Sequence, residues 1–195
     1  GNLSSFTKLN TGANGFPTTG FSRIEIACAP SNSNVLYCPT QSSSTNGIFN
    51  IYKSTDGGAN WAATTGQPTS GWASGQGWYS LAVDINPNNT NQCIVGGLEP
   101  YKTTDGGATW TKIANWVGTS GQYVHADIHK ILWYDGGNKL IFGCDGGIHF
   151  SSDGGSTIRD RNVGLRIKQF YSCAIHPTTT NYFLAGAQDN GTHLL

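Results

Sequence analysis

His125, Asp127 and His129 alternate within the short segment Val124-His125-Ala126-Asp127-Ile128-His129. An extended strand turns every second side chain to the same face, so a single strand would present all three together. Two imidazoles and a carboxylate, joined by Asp145 from a following loop, are the donor types of a divalent-metal site, with His125, Asp127 and His129 as the candidate ligands. The same residues suit a hydrogen-bonded polar network or direct contact with a ligand. No cofactor beyond such a metal is suggested. Glycoside hydrolysis is a second chemistry open here. It needs two carboxyl groups roughly 5 to 9.5 Å apart, and Asp127, Asp145, Asp189 and Glu99 are the candidates. Trp78 and Tyr79, with Trp72, Tyr101 and Trp116, offer rings suited to stacking on sugars or to internal packing.

A repeat positions these residues. Ser54-Thr55-Asp56-Gly57-Gly58-Ala59-Asn60-Trp61 returns as Thr103-Thr104-Asp105-Gly106-Gly107-Ala108-Thr109-Trp110 and again as Ser151-Ser152-Asp153-Gly154-Gly155-Ser156-Thr157-Ile158. Ahead of each octapeptide lie an apolar run, a turn and a second apolar run, such as Leu81 to Pro87 followed by Cys93 to Gly96. Each unit therefore reads strand A, hairpin, strand B, loop, strand C, Asp-Gly-Gly turn, strand D. Four short strands every 40 to 50 residues or so mark the blade of a β-propeller. No segment carries a sustained helical period. The expected fold is all-β, about four blades of four antiparallel strands, as part of a larger propeller.

The spacing divides the chain, as one propeller region spanning 1–195, into a D strand over 1–18, blades over 19–70, 71–118 and 119–167, and an incomplete blade over 168–195. Phe6 to Gly12 resembles the D strand beginning at Trp110, and Thr192 to Leu195 align with a C strand. That pattern fits either a piece of a propeller with more blades or a four-bladed ring closed by the first strand. We expect the piece.

The octapeptides resemble the Asp-box, or bacterial neuraminidase repeat, and nearly the whole chain resembles the Asp-box propeller superfamily. That group holds sialidases, xyloglucanase-type glycosidases, sortilin-like receptors and photosystem assembly factors. His125 to His129, Gly143-Cys144-Asp145-Gly146-Gly147-Ile148, Gln169-Phe170-Tyr171 and Gln188-Asp189-Asn190-Gly191 resemble large secreted proteins of the Bacteroidetes type, described as sortilin-like or glycosyl-hydrolase-like. The resemblance implies that Asp56, Asp105 and Asp153 are structural, accepting backbone N–H groups in the C–D turns. Trp61 and Trp110 are expected to be largely buried under their own turns, with Ile158 filling that slot less fully. The resemblance further implies that function lies on the opposite face, where B–C and D–A loops meet. Glu99, Asp145 and Asp189 stand at matching B–C positions there, and Arg23, Trp78-Tyr79, His125 to His129 and Gln169-Phe170 lead into the A strands. Sialidase chemistry is disfavoured: it calls for an arginine cluster, and the chain has only Arg23, Arg159, Arg161 and Arg166. In xyloglucanase-type relatives two propellers each supply one catalytic carboxylate.

Composition narrows the partners. Eleven basic residues balance eleven acidic ones, which gives no electrostatic footprint for nucleic acid. No run of 18 apolar residues exists to insert in a membrane. Charged residues are only 11% of the chain, against about 25% in an average domain, and with 27 glycines this fits a turn-rich secreted β protein. The five cysteines lie in apolar runs and most suit small buried positions; Cys28 and Cys38 flank a turn and are the one pair that could face each other across a hairpin. The expected protein is extracellular, and its expected role is a non-catalytic binding or scaffold module for a glycan or protein ligand. The alternative is a fragment of a xyloglucanase-like or other glycoside hydrolase. The remainder of the same polypeptide, or other blades, is the further expected partner.

Overall fold

The computed structural model describes residues 8–68, 71–117, 121–165, 170–179, 181–187 and 191–194. The strands are β1 (Phe21–Ile24), β2 (Ala27–Cys28), β3 (Leu36–Ser42), β4 (Ile48–Ser54) and β5 (Ala62–Ala63), then β6 (Ala82–Ile85), β7 (Cys93–Gly96), β8 (Pro100–Thr103) and β9 (Thr111–Lys112). They continue as β10 (Ile128–Tyr134), β11 (Lys139–Cys144), β12 (Gly147–Ser151), β13 (Arg159–Asp160), β14 (Phe170–Ile175), β15 (Phe183–Ala187) and β16 (Thr192–Leu194). They form four antiparallel sheets: β1 and β2 both on β3, followed by β4 and β5; β6 to β9; β10 to β13; and β14 to β16. The expected first strand falls partly outside the described residues. Its described part, 8–18, runs as turns that seat Phe16 against Tyr52 and Trp61.

Alternation along the strands explains the packing. Tyr37 and Ile51 of the first blade share a core with Leu81, Val83, Ile85, Cys93 and Val95 of the second. On its other face the second blade presents Ala82 and Ile94 to Ile131, Trp133, Leu140 and Phe142 of the third. Both faces of a central blade are thus buried, which is why its strands read as unbroken apolar runs. Asp84 interrupts one of those runs. Its carboxylate accepts the Trp133 N–H of the next blade at 2.7 Å and the Ile85 N–H at 3.0 Å. Burial raises its pKa.

Asp56, Asp105 and Asp153 occupy the β4–β5, β8–β9 and β12–β13 turns. Asp105 Oδ1 accepts the Thr109 N–H at 2.9 Å and the Thr103 hydroxyl at 2.8 Å, while Oδ2 accepts the Thr109 hydroxyl at 2.6 Å. Thr103 Oγ1 in turn accepts the Gly107 N–H. Asp56 and Asp153 repeat the pattern through Ser54 and Asn60, and through Ser151 and Thr157. Gly57 and Gly58 have φ of 72° and 90°, a backbone region that other residues rarely enter.

Two expectations need correction. Trp61 and Trp110 are mostly covered, as expected, though not fully enclosed, but only one of the two bonds within its own turn. Trp61 Nε1–H donates to Gly58 in its own turn, whereas Trp110 Nε1–H reaches Gly66 of the preceding blade at 3.1 Å. Cys28 and Cys38 do not face each other: strand register sets Cys28 opposite Leu36 and Cys38 opposite Tyr52, and all five cysteines are free.

Candidate functional site

The strand that was to display His125, Asp127 and His129 together begins only at Ile128. Asp127 adopts φ +64°, a left-handed conformation seldom taken by residues with a side chain and often found at functional positions. The register then slips, because Ile128 pairs with Cys144 but Lys130 with Gly143, leaving His129 in a β-bulge. The left-handed residue and the bulge together cancel simple alternation. A bulge re-aims its side chain, and here it sends His129 to the β11–β12 turn.

There, His129 Nε2 lies 2.7 Å from Asp145 Oδ1, and the Tyr79 hydroxyl donates to Asp145 Oδ2 at 3.0 Å. The Tyr79 and His129 rings meet edge to face with centroids 4.9 Å apart. Burial, together with the bond and charge of Asp145, pushes the Tyr79 phenol up to about 12, with further contributions from Asp127 and Tyr171. Trp78 stacks obliquely on Tyr79 at 5.5 Å and leaves 60% of its surface open. Tyr171 sits in the corresponding bulge of β14 and is exposed.

Arg23 holds this arrangement from the first blade. Its guanidinium donates to the carbonyls of Trp78 at 3.0 Å, Tyr79 at 2.7 Å and Leu81 at 3.4 Å, and to Glu25 at 2.9 Å. In the sequence Arg23 had only a position; its strapping role depends on contacts more than fifty residues away.

His125 turns elsewhere. Its N–H donates to Nε2 of His149 at 3.2 Å, and its ring covers Gly146, where an added Cβ would meet the imidazole at 2.3 Å. His149 is buried to 1% exposure beside the Tyr123 ring, and burial lowers its pKa. Nothing in the spacing marked this histidine. Asp127 is buried near the cluster, close enough for its charge to act on Tyr79 and Cys144. Glu99 is ion-paired with Lys112 of its own outermost strand at 3.1 Å. Asp189 lies outside the described residues, as do Gln169, Gln188 and Asn190.

The structure therefore joins Tyr79, Trp78, His129 and Asp145; the His125 ring lies against Gly146, next to Asp145, but its Nδ1 meets the Ala126 carbonyl, and Glu99 pairs with Lys112. Among the described residues, no group of three His, Cys, Asp or Glu side chains is placed to hold a metal ion. The expected set of His125, Asp127 and His129 is not assembled, because His125 and His129 take different partners. Trp72 and Tyr101 belong to the apolar core, whereas Trp116 is exposed.

Antiparallel sheets that follow one another along the chain, the first three packed face to face and with loops gathered around such a cluster, are the blades of a β-propeller. The fold is similar to that of a GH74 enzyme from Niastella koreensis, with a TM-score of 0.52 and 23% identity over 87% of this chain and 27% of that one. It is similar also to the GH74 xyloglucanase from Xanthomonas campestris, with a TM-score of 0.56 and 13% identity over 95% of this chain and 30% of that one. This chain spans less than a third of the length of either structure. No protein-family model and no curated protein matches the sequence.

Proposed function

We propose that the chain is part of an extracellular Asp-box propeller, of the sortilin-like or glycosyl-hydrolase-like kind, whose loop face binds a neutral glycan without cleaving it. The observation that carries this reading is the exposed Trp78 ring set beside Tyr79, His129 and Asp145. An aromatic face offers a sugar ring its apolar side, and the adjacent carboxylate accepts hydroxyl hydrogens. Both oxygens of Asp145 are already engaged by His129 and Tyr79, which suits fixed recognition. Glycosidic cleavage needs a second carboxyl across the bond; Glu99 is paired with Lys112, and Asp127, beside the cluster, is buried.

Calorimetric titration with glycans tests the proposal. Binding should weaken at least tenfold in Trp78→Ala and in Asp145→Asn. Saturable binding of a protein but of no glycan would replace the ligand class, and wild-type affinity in both variants would remove the site.

A second reading, a fragment of a glycoside hydrolase, is favoured by the likeness in fold to GH74 enzymes. Release of reducing sugar from xyloglucan, abolished by Asp145→Asn or Asp127→Asn, would establish it.

The end blades support further blades, from the same polypeptide, as partners. Leu9, Ile24 and Ile26 are exposed on the first, and Ile175, Tyr182 and Leu184 on the fourth. Covering those faces removes apolar surface from water.

A further inference from the structure

Residues 71–79 connect two places on the loop face. Trp78 and Tyr79 end at the cluster just described, while Trp72, near the start, lines a separate cavity of about 320 Å³. Its walls come from the β3–β4 loop and the β5–β6 connection, and include Thr45, Phe49, Gln67, Pro68, Trp72 and Ser74. The β3–β4 loop is the first blade's counterpart of the β11–β12 turn that carries Asp145.

The cavity is built rather than incidental. Gln41 pairs with Ile48 but Thr40 with Asn50, so Phe49 stands in a β-bulge. Its ring, 40% exposed, forms part of the cavity wall. Asn46 and Ser74 adopt φ of 59° and 38°, the left-handed region, which Asn enters more readily than most residues with side chains and Ser seldom does. Asn46 is held there by its carbonyl, which accepts the Gly77 N–H at 2.8 Å, and by its side-chain oxygen, which accepts from Gln41. The first of those bonds ties the rim of the cavity to the residue before Trp78.

No described residue lining the cavity is ionisable. An anionic ligand would lose hydration there with no cation to replace it, which costs heavily. A neutral ring with one apolar face and hydroxyls at its edge fits the Phe49 ring, the backbone groups and the small polar side chains that line the cavity. Phe49 supplies the face.

We infer that this cavity is a second sugar-binding subsite, taking an uncharged pyranose residue of the same oligosaccharide that rests on Trp78. The inference rests on the glycan reading of the Trp78 cluster, and it adds a requirement for chain length and for neutrality.

The test is calorimetric titration of the full chain with cellobiose, cellotetraose and cellohexaose, with oligogalacturonides of the same lengths as charged probes. Affinity should rise with length by about tenfold, the scale of one aromatic stacking contact, and the uronides should gain nothing from length. Phe49→Ala should abolish the gain while leaving cellobiose affinity unchanged, and Trp78→Ala should weaken every neutral probe. Thr45→Arg, at an exposed rim position, provides a second variant that blocks the cavity without removing packing. Unaltered melting curves would establish that both cavity variants are folded. Length-independent affinity, or an unaltered length gain in both cavity variants, would overturn the subsite and leave the cluster reading standing. Losses in the cavity variants with none in Trp78→Ala would leave the cavity as a site and sink the cluster reading. Absence of binding to every probe would end both.

Discussion

Lys102 on β8 donates its ammonium to the Gly154 carbonyl, in the turn of the following blade, at 2.8 Å, and stands 5.4 Å above the centre of the Trp133 ring. Lys53 repeats the contact one blade earlier, reaching Gly106 at 3.3 Å and lying over Tyr37. The third blade has Phe150 at the corresponding place, three residues before its turn aspartate, with Arg161 over the ring. The lysines fasten each turn to its predecessor, and burial lowers the pKa of both.

Lys102→Met keeps the stem and removes the charged donor. A hydrogen bond from a charged group contributes about 1.5 to 3 kcal/mol, and partial exposure sets the expectation at the lower end. The midpoint of urea unfolding should fall accordingly; an unchanged midpoint would show that water replaces the ammonium without loss.

Trp110→Ala should cost less than the ~3–5 kcal/mol typical of a fully buried aromatic, because its ring is not fully enclosed. We expect about 2 to 3 kcal/mol, part of it from the lost bond to Gly66. Trp110→Phe should recover most of the packing and none of that bond. Equal stability for the phenylalanine variant and the wild type would remove the indole N–H from the account.

Acid should weaken the turns. The Thr109 hydroxyl and N–H, with Thr103, hold the Asp105 carboxyl down at about 2, against an ordinary 3.8. The folded state thus favours the ionised form, and the stability this contributes is complete above the ordinary value and lost as pH falls toward 2. Asp56 and Asp153 are lowered by the same kinds of bond. Unfolding midpoints measured from about pH 5 to about pH 2 should decline, and less steeply in Asp105→Asn. Parallel declines would assign the acid sensitivity to other groups.

Asp145→Asn should lower the Tyr79 pKa. Burial is the largest cause of its rise to about 12, followed by the bond to Asp145 and that residue's charge. The substitution removes the charge and weakens the bond but leaves burial, so the phenol should titrate earlier yet remain above its ordinary 10. Tyrosinate absorbance during alkaline titration, with Tyr79→Phe to assign the signal, measures this. An unmoved titration would mean that the phenol and carboxylate are apart in solution.

Much of this architecture is written locally. Ser54-Thr55-Asp56-Gly57-Gly58 needs only its own atoms to form a turn, since Asp56, Ser54 and Asn60 satisfy one another within seven residues. The three copies therefore announced both the turn and the period of the blade. Strands such as Cys93 to Gly96 were legible for a related reason: burial on both faces demands apolar residues throughout. The association of Tyr79 with Asp145 was not legible, because it joins blades 66 residues apart. Alternation placed His125 and His129 on one face, yet Asp127 turns left-handed and a bulge follows, and both depend on pairing with β11. Asp84 and Arg23 were silent for the same reason, since the backbone groups they satisfy belong to neighbouring blades. Period and turn chemistry are short-range and repeat along the chain; the meeting of particular side chains is decided by how consecutive blades pack.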